Sequence, residues 1–222
     1  MYCAIIGDII NSRKIIDRNK AQQMLNELLS SINNKQKDNI GSNFTITLGD
    51  EFQGVLINAD SVIDVIEEIN FAMHPVKIRF GIGFGEISTQ LNRLQAIGAD
   101  GSSFYAARDA INSLKVNDKK YEVPKQRISL KVHEIDNPFV ELLNTSLSLG
   151  TLIEDGWTTK QRNTIELMRE NNNNQSQVAK ILGINKSSVQ KSLAHSKYYS
   201  YKKQVESVTK AIKYLWEMQN DK

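Results

Sequence analysis

Along the first 135 residues, apolar positions alternate between continuous runs and helical spacing. Tyr2 to Ile10 is apolar almost throughout, broken by Asp8, which suits a central strand covered on both faces. Asn19 to Ile32 sets Ala21, Met24, Leu25, Leu28, Leu29 and Ile32 at helical intervals. Two short strands are expected over Phe44 to Leu48 and Phe52 to Ile57, with Gly49-Asp50-Glu51 as the hairpin between them. Ala59 to Phe71 is helical again, carrying Val62, Ile63, Ile66 and Ile69 on one face, and Val76 to Ile87 is the next strand. A helix from about Ser103 to Leu114 and a strand from Arg127 to Val132 complete the order β-α-β-β-α-β-α-β. That order predicts an α+β fold, a ferredoxin-like (βαββαβ) palm over residues 1–135. Its first and third strands would be central and its helices would lie on one face.

Residues 136–157 read as a connector: Asp136, Asn137 and Pro138, a Leu/Ser-rich stretch, then Asp155-Gly156. Residues 158–222 have only helical spacing and are expected to form an all-α helix-turn-helix domain. Thr159 to Met168 is its supporting helix. Gln175 to Leu193 divides into two helices at Gly183, which tolerates the left-handed turn. Val178, Ala179 and Leu182 face inward on the first, Ile184, Val189 and Leu193 anchor the second, and Asn185 is its N-cap. The outward residues are then Lys186, Ser187, Ser188, Gln190 and Lys191, with His195 at the end. Lysines can neutralise phosphates, and Gln190 and the serines can reach base edges. A helical hairpin used only for packing or dimerisation is the plainer alternative. Tyr201 to Met218 forms one long helix whose stripe Val205, Val208, Ile212, Leu215 suits packing on its own domain or a homodimer seam.

Charge favours the DNA alternative. Residues 1–150 hold 16 Lys/Arg against 18 Asp/Glu, whereas residues 151–222 hold 12 against 7. The excess of +5 in the tail points to a polyanion there. Hydrophobic residues at 40% and charged residues at 24% are those of a folded chain. No apolar run approaches the ~20 residues of a membrane span, and the apolar N-terminus lacks a basic leader. A lone cysteine, Cys3, suits a reducing compartment, so a cytoplasmic protein is expected. His74, His133 and His195 have no ligand spacing, and no zinc site is expected.

Candidate chemistry collects in the body. In a palm of this order Asp8 ends the first strand and Asp50 lies in the hairpin beside it, so two carboxylates converge at one end of the sheet. Mg²⁺ or Mn²⁺ takes such donors, together with waters and phosphate oxygens. Asn11, Ser12 and Arg13 follow as polar groups suited to a triphosphate. The strand Arg79 to Gly85 carries Gly81, Gly83 and Gly85 on one face, open either to a helix or to a ligand. Ala99-Asp100-Gly101-Ser102-Ser103 leads into the helix bearing Arg108, and the free backbone N–H groups of its N-terminus, with Asp100 and Ser102 as candidate binding residues beside them, suit a nucleotide's anionic groups.

Four blocks carry a resemblance. Ile6-Gly7-Asp8-Ile9, Leu48-Gly49-Asp50-Glu51-Phe52, Arg79-Phe80-Gly81-Ile82-Gly83 and Ala106-Ala107-Arg108 stand in the order found in class III nucleotidyl cyclases. The second also resembles the hairpin of diguanylate cyclases. The resemblance implies that Asp8 and Asp50 hold the metal with help from the Ile9 carbonyl, and that Arg108 is the transition-state arginine. Phe104 stands where cyclases place an asparagine, and Ile46 where adenylate cyclases often place a base-selecting lysine. The metal half of the site is therefore kept and the substrate-reading half altered.

Over nearly its whole length the chain is similar to the SatD family of bacterial proteins. The shared features are the run from Ile5 to Arg13, the run from Thr47 to Gly54, Gly98-Ala99-Asp100-Gly101, and the basic helical tail reaching Tyr198-Tyr199. That family implies no settled activity, and the tail resembles the DNA-reading helices of sigma-factor and response-regulator tails. Three functions follow as expectations. The first is a DNA-binding regulator whose palm binds a nucleotide with Mg²⁺. The second is an active cyclase or nucleotidyltransferase releasing pyrophosphate, with Glu51 or a metal-bound water assisting deprotonation. The third is a palm that serves only as a dimerisation scaffold.

Overall fold

The computed structural model describes residues 1–121, 126–133 and 137–220. Five strands, β1 (Tyr2–Ile9), β2 (Ile40–Leu48), β3 (Glu51–Leu56), β4 (Ile78–Gly85) and β5 (Ile128–Val132), form one mixed sheet in the order β2-β3-β1-β4-β5. β1 is antiparallel to both β3 and β4, and β5 runs parallel to β4. Eight α-helices occur among the described residues: α1 (Arg18–Lys35), α2 (Val62–Ala72), α3 (Ser102–Tyr121), α4 (Pro138–Asp155), α5 (Thr159–Glu170), α6 (Gln175–Leu182), α7 (Lys186–His195) and α8 (Tyr198–Asn220). None is long and apolar enough to cross a membrane.

The continuous apolar run of β1 reflects burial on both sides. Cys3, Ile5 and Ile9 enter the main core with Phe52, Phe80 and Phe84 from the sheet, Leu25, Leu29 and Ile32 from α1, and Val62, Ile66 and Ile69 from α2. Ala4 and Ile6 point the other way, into a smaller core with Val55, Phe104, Ala107 and Ile111. Helices therefore lie on both faces and not on one as expected, because α3 covers the second. The glycines of β4 permit it. A Cβ at Gly83 would lie 2.0 Å from the Ser103 carbonyl oxygen, and one at Gly81 2.2 Å from that of Ala107. The bare face is thus filled by helix backbone and is not open to a ligand. The twelve residue steps of α3 from Ser103 to Lys115 rise roughly 18 Å, close to the roughly 20 Å of β4 from Gly85 back to Arg79. The helix carries its later residues to the sheet end where Asp8 lies.

The stretch expected as a connector is largely helix α4, entered through Asn137, whose side chain accepts the Phe139 amide at 2.9 Å, and Pro138 at the first turn. The expected boundary at 135–136 lies outside the described residues. Val140, Leu143 and Leu147 of α4 join the main core. Asn144 binds the edge strand β5 as a surrogate strand would, accepting from the Leu130 amide at 2.7 Å and donating to its carbonyl at 2.9 Å. Val208, Ile212, Leu215 and Trp216 of α8 also enter the main core, with Trp216 edge-on to Phe84 at 5.3 Å. The stripe that suited a dimer seam is thereby buried within its own chain.

Helices α5, α6 and α7 share a separate core of Trp157, Ile165, Met168, Val178, Ala179, Val189, Leu193 and Tyr198. Gly183, at φ +65°, ends α6 in the left-handed conformation. Asn185 caps α7 by accepting the Ser188 amide at 2.8 Å. Buried charges join this helical group to the sheet. Glu154 accepts from Arg127 at 2.6 Å and from Arg162 at 3.1 Å, while Asp155 accepts from Arg127 and, at 2.9 Å, from Lys77.

Burial alone would raise the Asp155 pKa, but Arg127 and Lys77 outweigh it and hold the carboxyl below its ordinary value. A depressed folded pKa stabilises the fold above the unfolded value of about 4 and loses that contribution as pH falls through the folded value. Asp155→Asn is therefore expected to denature earlier than the parent at pH 6, with the gap narrowing as the pH falls below the ordinary carboxylate range. A gap independent of pH in urea melts would contradict this.

Candidate functional site

Strand register decides which carboxylates meet. Asp8 lies directly opposite Glu51 on β3 and opposite Arg79 on β4, so all three side chains leave the sheet on the α3 side. α3 presents Arg108 and, two turns later, Lys115 to them. Arg79 donates to Asp8 Oδ2 at 3.0 Å, and the Lys115 ammonium lies 2.9 Å from Oδ1. Arg108 grips Glu51 with both nitrogens, at 2.5 and 2.7 Å. Two buried acids and three cations thus form one cluster, and every oxygen of the two carboxylates has a cationic partner. Bonding to Glu51 raises the Arg108 pKa further, more than partial burial lowers it, so the guanidinium is charged at any working pH.

The carboxylate facing Asp8 is therefore Glu51, whereas Asp50 is engaged elsewhere. It accepts from the hydroxyl of Ser12, and its carbonyl accepts the Ile9 amide at 3.0 Å. Ser12 is buried in the short 3-10 turn Ser12–Lys14, which Asn11 enters at φ +54°. Asn11 and Arg13 are exposed on the same loop. Beside it lies an apolar recess of about 590 Å³, lined in part by Ile10, Ile15, Met24 and Val76.

Asp100 and Ser102 lie elsewhere. Ser102 accepts the Glu86 amide at 2.7 Å just beyond Gly85, and Gly85 pairs with Tyr2, at the opposite end of β1 from Asp8. Asp100 accepts from the Tyr105 hydroxyl at 2.8 Å at that same far end. The two are separated from Asp8 by most of a strand, roughly 20 Å, and are not brought into its cluster. Phe104 and Ile46, the two departures from the cyclase pattern, both serve packing. Phe104 lies in the smaller core, and Ile46 pairs with Phe52 against the main one.

Arg79 and Lys115 escaped the sequence reading, although both left a signal. Arg79 stands two residues before Gly81, in phase with the glycines of its strand, and so shares their face. Lys115 follows Arg108 by seven residues, two turns along one side of a helix.

The donors suit a hard divalent ion in kind, since Asp8, Glu51 and Asp50 offer only oxygen. Among the described residues no group of three or more His, Cys, Asp or Glu side chains could hold a metal by itself. Mg²⁺ asks for less, one or two carboxylates completed by water and phosphate. Asp8 and Glu51 could meet that need once a neighbouring cation left them.

On α7, Lys186, Ser187, Gln190 and Lys191 are exposed, as expected. Ser188 is half-buried, and its hydroxyl, like that of Ser187, lies 2.8 Å from the Asn185 side-chain oxygen. Both serines thus support the cap. Residues 171–205 contain six lysines and no acidic residue.

The chain is of mixed α+β class, a five-stranded sheet carrying a charged cluster at one end and joined to a bundle of short helices. It belongs to the SatD family, whose model matches residues 2–212. No curated protein matches it. Among solved structures it is similar, at 21% identity and a TM-score of 0.32, to the catalytic core of a rhodopsin-guanylyl cyclase with converted specificity in complex with ATPαS. The match covers 48% of this chain and 69% of that one.

Proposed function

We propose that this protein is a DNA-binding regulator whose ferredoxin-like palm binds a nucleotide polyphosphate with a divalent ion. The observation that carries the DNA half is the acid-free, six-lysine stretch from Asn171 to Val205, which includes the exposed side of α7. Such a surface neutralises phosphates without an internal acid to compete. Lys186 and Lys191 lie on α7 beside Gln190, so phosphate contact and base contact would come from one helix. Lys186→Ala with Lys191→Ala is expected to weaken binding to a labelled 30-bp duplex and to flatten its log–log salt dependence by about two. Equal slopes for variant and parent, or no binding by the parent at low salt, would remove the DNA half.

The nucleotide half is supported by the five-charge cluster at the end of β1. Ser12 and Asp50 beside it suit polar contacts, with Arg108 and Lys115 as phosphate partners. Asp8→Asn should lose Mg²⁺-dependent binding of a fluorescent ATP or GTP analogue, and no such binding by the parent would refute this half.

A second reading, a pyrophosphate-releasing enzyme, is favoured by the meeting of Asp8, Glu51 and Arg108 in one cluster. Incubation with the four ribonucleoside triphosphates and Mn²⁺ beside Asp8→Asn tests it, and triphosphates that stay intact exclude it.

A further inference from the structure

We infer that Lys115, together with Arg108, is an exchangeable counter-ion. The two cations hold the carboxylates of Asp8 and Glu51. When a nucleotide polyphosphate arrives with a divalent ion, they release the carboxylates to that ion and turn to the phosphates. The inference rests on the nucleotide half of the proposed function and adds to it a binding residue, Lys115, and the order of events at the cluster.

Burial and charge together carry it. Asp8 and Glu51 face each other across neighbouring strands and are 8% and 9% exposed, so two like charges are withdrawn from water side by side. Compensation is obligatory, and Arg79, Lys115 and Arg108 supply it. A divalent ion approaching either carboxylate meets a positive group already seated on each oxygen, so one must leave first.

Their mobility differs. The Arg79 side chain is 12% exposed and enclosed by the sheet and α3, whereas those of Lys115 and Arg108 are 38% and 42% exposed. Arg79 therefore stays, and the two α3 residues can swing outward. Lysine is suited to such a move, being a compact charge on a flexible stem with no fixed fork to break. The exchange also conserves charge. Two single positive charges leave two carboxylates, a doubly charged ion replaces them, and the released cations meet the polyphosphate. Lys115 and Arg108 lie two turns apart on one helix, so both can reach the same extended anion.

The test measures two affinities that should move in opposite directions. Mn²⁺ binding without nucleotide is followed by electron paramagnetic resonance, and ATP and GTP binding at saturating Mn²⁺ by equilibrium dialysis. The proteins compared are the full-length parent, Lys115→Met and Lys115→Arg. Lys115→Met is expected to bind Mn²⁺ alone about fivefold more tightly, because a competing cation is gone, and nucleotide about fivefold more weakly. Lys115→Arg, which keeps the charge, should lie closer to the parent than Lys115→Met in both, and unchanged thermal midpoints would confirm that the variants are folded. Two affinities that fall together, or that both stay put, would overturn the exchange, as would a gain in Mn²⁺ affinity with nucleotide affinity unchanged. A parent that binds neither nucleotide with Mn²⁺ would instead remove the nucleotide reading, and the exchange with it.

Discussion

Gly83→Ala is expected to destabilise the protein by about 3 kcal/mol or more, one methyl group forcing apart two backbones. The added carbon would lie 2.0 Å from the Ser103 carbonyl oxygen and 2.3 Å from the Ala107 amide nitrogen. Neither is the end of a flexible side chain, so relief requires α3 to move as a body. For a chain of this size the thermal midpoint should fall by roughly 6–12 °C. Gly98→Ala is the control. Its φ of +82° carries the strain of a left-handed residue, but nothing lies within 4 Å of the new carbon, so the cost should be about 1 kcal/mol. The displacement of α3 would also carry Arg108 and Lys115 away from Glu51 and Asp8. Mg²⁺-dependent nucleotide binding should therefore weaken in Gly83→Ala even at temperatures where it remains folded. A midpoint within 2 °C of the parent would show that α3 is not held as closely as described.

The same glycines show how much a sequence discloses and where it stops. Alternation along Ile78 to Gly85 separates the aromatic and aliphatic face from the glycine face, and that division is visible without a structure. What fills the space above the glycines depends on where α3 lands, which is a question of tertiary packing. Local spacing cannot choose there between helix and ligand. The element order was legible for the same local reason, since apolar periods of two and 3.6 are properties of the backbone. The N-cap at Asn185 and the turn at Gly183 were legible through their local chemistry.

The α4 region was missed because its composition reads as a linker. Leu143 and Leu147 are interleaved with serine, threonine and glycine, and the apolar residues Leu142, Leu149 and Leu152 remain exposed. That pattern blurs the contrast between faces on which helix reading depends.

The carboxylates show a subtler limit. The adjacency of β1 and β3 brings Asp8 and the hairpin residue Asp50 to one end of the sheet, as the element order suggests. Register then sets Glu51, one residue later, directly opposite Asp8. A single step along a strand changes the face, and hairpin geometry determines that step.

Glu154→Ala is expected to cost about 3–5 kcal/mol, although the residue is remote from both candidate surfaces. Glu154 lies between the Arg127 and Arg162 guanidinium groups, and all three side chains are less than a tenth exposed. Removing the acid leaves two like charges facing each other in the interior, with Asp155 to answer only one of them. The intact arrangement is itself incompletely satisfied, since Arg127 Nε and Arg162 Nη1 have no hydrogen-bond partner among the described residues. A network in this state contributes less to stability than its short contacts suggest, because desolvation offsets most of the attraction. The triple replacement Arg127→Met, Glu154→Leu, Arg162→Met should therefore be close to neutral in urea melts, although each of its members destabilises alone.

The cluster has a different consequence for the architecture. Arg127 precedes β5, Glu154 lies in the last turn of α4, and Arg162 lies in α5 beside Trp157 and Phe71. Its directional bonds link β5, α4 and α5, and they are expected to hold the approach of α5 to the sheet more sharply than apolar packing alone. Limited proteolysis near residues 156–158 should accordingly be faster in the triple variant than in the parent, at equal global stability. Equal cleavage rates would mean that the aromatic contacts of Phe71, Trp157 and Tyr201 set that approach without help from the charges.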